Sequence, residues 1–502
     1  MINAPGSVSA SASANGQNYR GPFAIMTVLF FMWGFITVLN DILIPRLQDA
    51  FVLTNYKIMF IQTAFFGAYF VGSLLYFVIS ATAGDPIAKI GYKNGVVIGL
   101  LLAALGSATF WPAATIISYP LFLGALFVVG LGLAMLQIAA NPYVTILGPE
   151  RTASSRLNLA QAFNSVGTTI GPLIGGYLIF QYFAKAGVQG ADSVKMPYLM
   201  FCVAFLVLAV IFFFLHLPHV GEGKIEPGAG ALKYPHVVLG VLAIFMYVGG
   251  EVSIGSNIIK FLGQPNVAAL SEMEASKYVS LYWGGMLIGR FMGAIELSEM
   301  QKAKKQFLLV IVPLLAFVFL WVAISAPLNA LHGGSDLSGA FAQWKNQFVQ
   351  NWDVFRIYLP LVAFCWLMFQ FGRALPARTL LIFATTIVAL LVTAILVGGK
   401  VAMWCVVGVG LFTSIGWPNI FSLALDGMGT YKSQVSSLLV MAVLGGAVLP
   451  PIMGKLADIW NRQDSFIIPL IAYAYVGFYG WKGHKIGRSQ STSTLVNVNV
   501  TD

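Results

Sequence analysis

Between residues 23 and 481 the chain is a succession of apolar runs, each about 20 residues long, separated by glycines, prolines and short charged patches. About 20 apolar residues at 1.5 Å rise each span the hydrocarbon core of a bilayer. Lipid offers peptide groups no hydrogen-bond partner, so a crossing segment must satisfy its own backbone, as a helix does. Read against their breakers, the runs predict fourteen helices near 23–44, 57–79, 94–111, 119–147, 157–183, 197–217, 237–262, 278–298, 307–325, 355–372, 379–397, 401–425, 434–454 and 465–481. A soluble fold is excluded on the same ground, since 9% of the residues are charged against roughly 25% in a soluble domain. The expected fold class is an all-α polytopic membrane protein.

The flanks and loops add little chemistry. Residues 1–22 carry one charge, Arg20, lack the pattern of a signal peptide and read as a disordered cytoplasmic tail; residues 482–502 read as a second. Cys202, Cys365 and Cys405 lie in apolar stretches without CxxC spacing, which argues against a disulfide framework or a zinc site, so no metal and no cofactor is expected. The net charge of +10 comes from Lys and Arg scattered through the loops rather than gathered into a stripe with aromatics. Nucleic acid is therefore not an expected partner, and the charges read as topology signals. With both termini cytoplasmic, the inner loops collect Lys89, Lys93, Arg151 and Arg156, and later Lys302, Lys304, Lys305, Arg373, Arg378 and Lys432, while the outer loops collect fewer.

A weak internal repeat organises the chain. Gly72 and Gly289 stand in similar surroundings 217 residues apart, whereas Pro142 and Pro418 are 276 apart and the Pro-x-x-Gly motifs beginning at Pro172 and Pro451 are 279 apart. The offset grows by 59 residues, about two helices and a loop. The expected architecture is thus two six-helix bundles, at 23–217 and 237–481, joined by a linker at 218–236. A helical hairpin is inserted at about 306–372, and the polar stretch Pro327 to Asp353 is its outer loop.

An ionisable side chain at membrane depth costs a few kcal/mol, so it faces a cavity or a partner. Two carboxyl groups qualify: Asp41 in the last turn of the first helix, and Glu251 in the middle of the seventh. Low-dielectric surroundings favour the neutral form of a carboxyl group, which lets such a group bind and release a proton in the working range. The competing readings are an interfacial ion pair of Asp41 with Arg46 and a structural hydrogen bond for Glu251. Arg290 reads as structural or gating, near enough to the inner end of its helix to snorkel to the interface. None of the five histidines lies deep in a span, which disfavours a histidine relay.

Uncharged polar groups on helices one, four, five and seven can hydrogen-bond a polyhydroxylated ligand: Asn40, Gln137, Asn141, Gln161, Asn164 and Ser253. Gln161 and Asn164 are three apart and share a helix face. Trp33, Phe35, Tyr247, Tyr282 and Trp417 can offer an apolar platform, although each alone is more readily read as ordinary packing. Glycines at helical spacing, Gly285, Gly289 and Gly293, permit close helix approach. No phosphate-binding loop of the Gly-x4-Gly-Lys-Ser/Thr type occurs, so ATP hydrolysis and enzyme activity are not expected.

The stretches Leu39–Pro45, Ala139–Glu150, Arg156–Ser165, Tyr247–Ser256 and Trp417–Leu423 resemble the fucose, galactose and glucose branch of the major facilitator superfamily, bacterial sugar-proton symporters. The resemblance implies a major facilitator fold, a coupling role for Asp41, and cavity positions for Gln161 and Asn164. Fucose permeases carry an acid where this chain has Gln137 and a glutamine where it has Glu251, so acid and amide exchange helices. That exchange, with Trp417-Pro-Asn419, is more similar to the glucose, galactose and N-acetylglucosamine transporters. Gly84 to Lys93 is similar to the superfamily's inner loop motif and implies gating or structural roles for Asp85 and Lys93. The twelve-helix family has no counterpart for 306–372.

The expected function is sugar import across a bacterial inner membrane by alternating access, by a monomer, with the sugar, a proton and the lipid bilayer as partners. Asp41 and Glu251 are its expected proton sites; Asn40, Gln137, Asn141, Gln161, Asn164, Trp417 and Asn419 are its expected sugar ligands. Sodium coupling, a transport-inactive sugar sensor and a multidrug exporter remain as alternatives.

Overall fold

The computed structural model describes residues 20–51, 55–177, 195–215, 228–326 and 337–488. Both expected tails fall mainly outside these residues, and so do residues 178–194, 216–227 and 327–336. Among the described residues there are seventeen α-helices and no strand.

The first series is α1 (Arg20–Phe51), α2 (Asn55–Ala83), the short α3 (Pro86–Ile90), α4 (Tyr92–Thr115), α5 (Tyr119–Ile146), α6 (Ala153–Tyr177) and α7 (Lys195–Phe214). The second is α8 (Pro235–Leu262), α9 (Glu272–Glu296), α10 (Lys302–Ile324), α11 (Leu337–Gly372), α12 (Pro376–Val397), α13 (Gly399–Thr413), α14 (Gly416–Leu425), α15 (Lys432–Met441), α16 (Gly445–Ile459) and α17 (Ile467–Trp481). Ten stretches of described helix are long and apolar enough to cross a membrane. The remaining apolar runs of the sequence fall on α1, on α6 and α9 with their polar residues, and on the shorter α17.

The packing pattern of the first series recurs in the second. In the first series α4 packs on α5 and α7, α2 on α5, and α1 on α6; in the second α12 packs on α13 and α17, α9 on α13, and α8 on α16. Each partner on one side has its counterpart on the other. Left over are α10 and α11, which pack on each other and on α9, with α11 reaching α12 and α13.

Glycine makes the two equivalent crossings possible. A Cβ at Gly34 would fall on the Asn164 backbone and one at Gly167 on the backbone of Phe31 and Phe35, while in the second series a Cβ at Gly445 would fall on the Phe245 backbone. Backbone cannot swing aside as a side chain does. Gly167→Ala is therefore expected to destabilise the protein by about 1–3 kcal/mol, the usual cost of overpacking, read as a lower thermal midpoint in detergent. Gly454→Ala, where a Cβ meets nothing, should not lower it; equal behaviour of the two would refute the close-crossing argument.

Two sequence expectations are corrected. Residues 337–353, expected in an outer loop, form the first half of α11. Their aromatics recur every three or four residues, at Phe341, Trp344, Phe348, Trp352 and Phe355, which puts them on one face of a helix. That face stacks on Trp321 of α10, whose Nε1 donates to the Phe348 carbonyl at 3.0 Å. Intervening polar residues hid the period. Likewise α1 runs on to Phe51, so Asp41 lies ten residues before its end rather than in its last turn.

Candidate functional site

A cavity of about 230 Å³ lies between the two series of helices. It draws Trp33, Gly34 and Thr37 from α1, Phe65, Phe66 and Tyr69 from α2, Gln137 from α5, and Gln161, Asn164 and Thr168 from α6. From the other side come Tyr247, Val248 and Glu251 of α8, Arg290 of α9, Trp417 of α14 and Val443. Spacing explains which residues face it: Trp33 and Thr37, Phe65 and Tyr69, and Tyr247 and Glu251 are each four apart, and Gln161, Asn164 and Thr168 follow a three-then-four step. The lining is aromatic on its flat walls and amide or carboxyl at a few points. That is the composition of a site for a small ligand with an apolar face and several hydroxyls.

Among the described residues Glu251 is the one carboxyl group of this lining. The Tyr247 hydroxyl stands 2.8 Å from Glu251 Oε1 and 2.9 Å from the Thr413 carbonyl, and the Tyr282 hydroxyl donates to the Glu251 backbone carbonyl at 3.0 Å. Arg290 is the cation of this lining, on the same side as Glu251 and buried rather than snorkelling to an interface, which corrects the sequence expectation. Its Nη1 donates to the Ser165 hydroxyl and, at 3.4 Å, to the Gln161 carbonyl of α6. Its Nε donates at 3.3 Å to the Ser414 carbonyl.

That last acceptor exists because a helix is broken. Pro418 has no N–H to offer the carbonyl four residues back, which is Ser414. The Thr413 and Ser414 hydroxyls also donate back to the carbonyls of Gly410 and Leu411, at 3.0 and 2.7 Å, a geometry that bends helices. The result is the interruption at Ser414 and Ile415 between α13 and α14.

Beyond the cavity the two series touch along one face. The Ser154 and Ser422 hydroxyls are 2.6 Å apart, Asn158 Nδ2 donates to Asn419 Oδ1 at 3.0 Å, and the Ser155 hydroxyl donates to the Ala294 carbonyl at 2.6 Å. Gln434 Nε2 reaches the Ser80 hydroxyl at 3.4 Å, and ion pairs Arg151–Glu299 and Lys432–Glu150 lie on the rim. A larger recess of about 1030 Å³ opens beside these contacts, lined by Glu150, Arg151, Asp426 and Lys432. Its walls are loop residues and helix ends without the buried carboxyl, amides and aromatics of the smaller cavity, which is therefore the better candidate.

Of the residues singled out in sequence, Gln137, Gln161, Asn164, Trp417 and Glu251 meet in this cavity, with Trp33 and Tyr247 beside them. Asn164 also ties α6 to α1, donating from Nδ2 to the Phe30 carbonyl at 3.0 Å. Asn141 and Asn419 do not line it. Asn141 is fully buried one turn beyond Gln137, with neither amide atom partnered among the described residues, and Asn419 belongs to the closed face. The side chains of Asn40 and Asp41 lie outside the described residues. Asp85 is a helix cap: its Oδ1 accepts from the Ile87 N–H at 2.8 Å and from the Tyr76 hydroxyl, while Lys93 lies over the Phe213 ring. Sequence reasoning missed Tyr69, although it lies three residues before the repeat landmark Gly72, and missed Arg290 as a cavity group.

The chain matches the Major Facilitator Superfamily over residues 23–439. It is 41% identical to the glucose/galactose transporter of Brucella abortus biovar 1 (strain 9-941) over 480 residues, covering 94% of this chain and 96% of that one. It is 29% identical to the L-fucose-proton symporter of Escherichia coli (strain K12), covering 92% and 93%. The crystal structure of the major facilitator transporter FucP in the outward conformation superposes with a TM-score of 0.70 at 28% identity, covering 93% of this chain and 99% of that one.

Proposed function

We propose that this chain, which belongs to the fucose, galactose and glucose symporter family of the Major Facilitator Superfamily, imports a hexose against its gradient at the expense of a proton gradient. The family is one of transporters and not of enzymes. The observation that carries the proposal is the placing of one buried carboxyl group, Glu251, in the same cavity as Gln137, Gln161 and Asn164. A proton and a sugar bound there act on the same pair of helix series, so each can favour the same conformation, which is what coupling demands.

The amides supply donors and acceptors to hydroxyls, Trp33 and Trp417 supply a face for the ring C–H groups, and the buried Trp417 Nε1 has no partner among the described residues, leaving a donor for the ligand. The relatives named for glucose and galactose, together with an amide at 137 and an acid at 251, favour an aldohexose over fucose. The cavity is smaller than the roughly 300–1,000 Å³ of drug-sized sites, which disfavours an exporter of bulky compounds. Proton is favoured over sodium because the freed Ser414 carbonyl is already engaged by the Arg290 guanidinium, itself a cation lining the same cavity.

In this reading the protein has fourteen spans, a bundle of six at 23–217 and a second at 237–481 into which α10 and α11 are inserted. Both termini are cytoplasmic in a bacterial inner membrane, since the face closed by Ser154, Asn158, Asn419 and Ser422 is also the one that gathers Arg151, Arg156, Arg378 and Lys432. Alternating access is then the opening of that face as the other closes.

The test is uptake of labelled glucose, galactose, N-acetylglucosamine and fucose into liposomes holding the purified protein, under an imposed pH gradient and then a sodium gradient. Accumulation of glucose or galactose on the pH gradient is expected. Accumulation on sodium alone would make Glu251 an ion ligand, and sugar binding without uptake would make the protein a sensor.

A further inference from the structure

The Tyr247 hydroxyl has one hydrogen and two acceptors at nearly equal distance, Glu251 Oε1 at 2.8 Å and the Thr413 carbonyl at 2.9 Å. It can donate to only one of them at a time. From this we infer that Tyr247 is a positioning residue that reports the protonation of Glu251 to the break between α13 and α14; the inference rests on the reading of Glu251 as a proton site.

The two states follow from hydrogen-bond chemistry. An ionised Glu251 is acceptor-only and the stronger acceptor, so it takes the Tyr247 hydrogen and the Thr413 carbonyl loses that donor. When Glu251 takes up a proton from the cavity, its new O–H donates to Tyr247 Oη, and the tyrosine hydrogen turns to the Thr413 carbonyl. The tyrosine keeps its own proton throughout; only the direction of donation reverses.

The acceptor that gains or loses a donor is placed to matter. Thr413 is the last residue of α13, and the next carbonyl, Ser414, is held by Arg290 Nε. Past the break, α14 carries Trp417 into the cavity and Asn419 and Ser422 into the closed face. The Tyr247 ring lies against Gly416, the first residue of α14, where any Cβ would strike it. Protonation of Glu251 thus adds a hydrogen bond at a hinge whose far arm joins sugar site and gate. The ionisable groups facing Glu251 are Tyr247 on its own helix, Tyr282 and Arg290 on α9, and Tyr473 on α17. Of these only Tyr247 is within hydrogen-bond distance of both the carboxyl group and a backbone carbonyl of the break.

The test is infrared pH-difference spectroscopy on wild-type protein with ring-labelled tyrosine, repeated on Tyr247→Phe and Glu251→Gln, together with D-glucose uptake. The expected result is a tyrosine band that changes with the same midpoint as a buried carboxyl band. Both vanish in Glu251→Gln, and only the tyrosine band vanishes in Tyr247→Phe. Tyr247→Phe should also bring pH-driven glucose accumulation from about tenfold toward one, out of proportion to any fall in glucose counterflow, since a merely structural defect lowers both together. A carboxyl band that titrates with silent tyrosine bands in the wild type overturns the relay and leaves Glu251 as the proton site, even if Tyr247→Phe does not fold. A carboxyl band that persists unchanged in Glu251→Gln overturns both.

Discussion

Glu251→Gln is expected to abolish accumulation of sugar on a pH gradient while leaving exchange of sugar across the membrane intact. A gradient of one pH unit is worth about 1.4 kcal/mol per proton, so one proton per sugar supports about tenfold accumulation, and a variant that binds no proton should reach a ratio of about one. Exchange survives because the Gln side chain keeps the shape of Glu, and its Oε1 can still accept from the Tyr247 hydroxyl that now stands 2.8 Å away. Glu251→Leu makes the contrast, since it takes one hydrogen-bond partner from Tyr247 and the facing carboxyl group from Arg290 in a buried site, and should lower exchange as well. The measurement is labelled-sugar uptake beside counterflow in the same liposomes. If Glu251→Gln concentrates sugar as the wild type does, coupling lies elsewhere, and Asp41→Asn, run in parallel, is the next place to look.

The sequence made some parts of this structure legible and hid others for physical reasons. Polar groups in a lipid-soluble chain are few, so Gln137, Gln161, Asn164 and Glu251 stood out and converge in one cavity. The repeat offsets marked an insertion at about 306–372, because inserting two helices shifts every later landmark by the same amount. What did not show was the partition of polar side chains between ligand and gate. Asn419 and Asn141 carry the same chemistry as Asn164, and only the packing of α6 against α14 tells that Asn419 meets Asn158 instead of the cavity. Arg290 was misplaced because its position along α9 fits either snorkelling or burial. The hinge was half visible: Pro418 was recognised as a repeat landmark, yet its counterpart Pro142 sits inside an unbroken α5. A proline alone does not break a helix. In the second series it is joined by two back-bonding hydroxyls, Thr413 and Ser414, and by an arginine that takes the freed carbonyl.

This asymmetry makes Arg290 the residue whose loss should most disturb the closed face. Its guanidinium spans the gap between the series, donating to the Gln161 carbonyl and the Ser165 hydroxyl on one side and to the Ser414 carbonyl on the other. A hydrogen bond from a charged donor contributes about 1.5–3 kcal/mol, so losing two such links across the interface should shift the balance between closed and open by about 3 kcal/mol, on the order of a hundredfold. Arg290→Met keeps the apolar stem and removes the donors, and the Ser414 carbonyl, which Pro418 cannot serve, is then left without either. The readout is disulfide formation between cysteines introduced as Ser154→Cys and Ser422→Cys, whose parent hydroxyls are 2.6 Å apart in the closed state. That pair is expected to crosslink readily with Arg290 present and poorly in Arg290→Met. Arg290→Lys should restore little, because a point charge on one stem cannot donate along both directions of the planar fork. Undiminished crosslinking in Arg290→Met would mean that Ser154, Asn158, Asn419 and Ser422 hold the face shut by themselves, and Arg290 would then act only on the charge of Glu251.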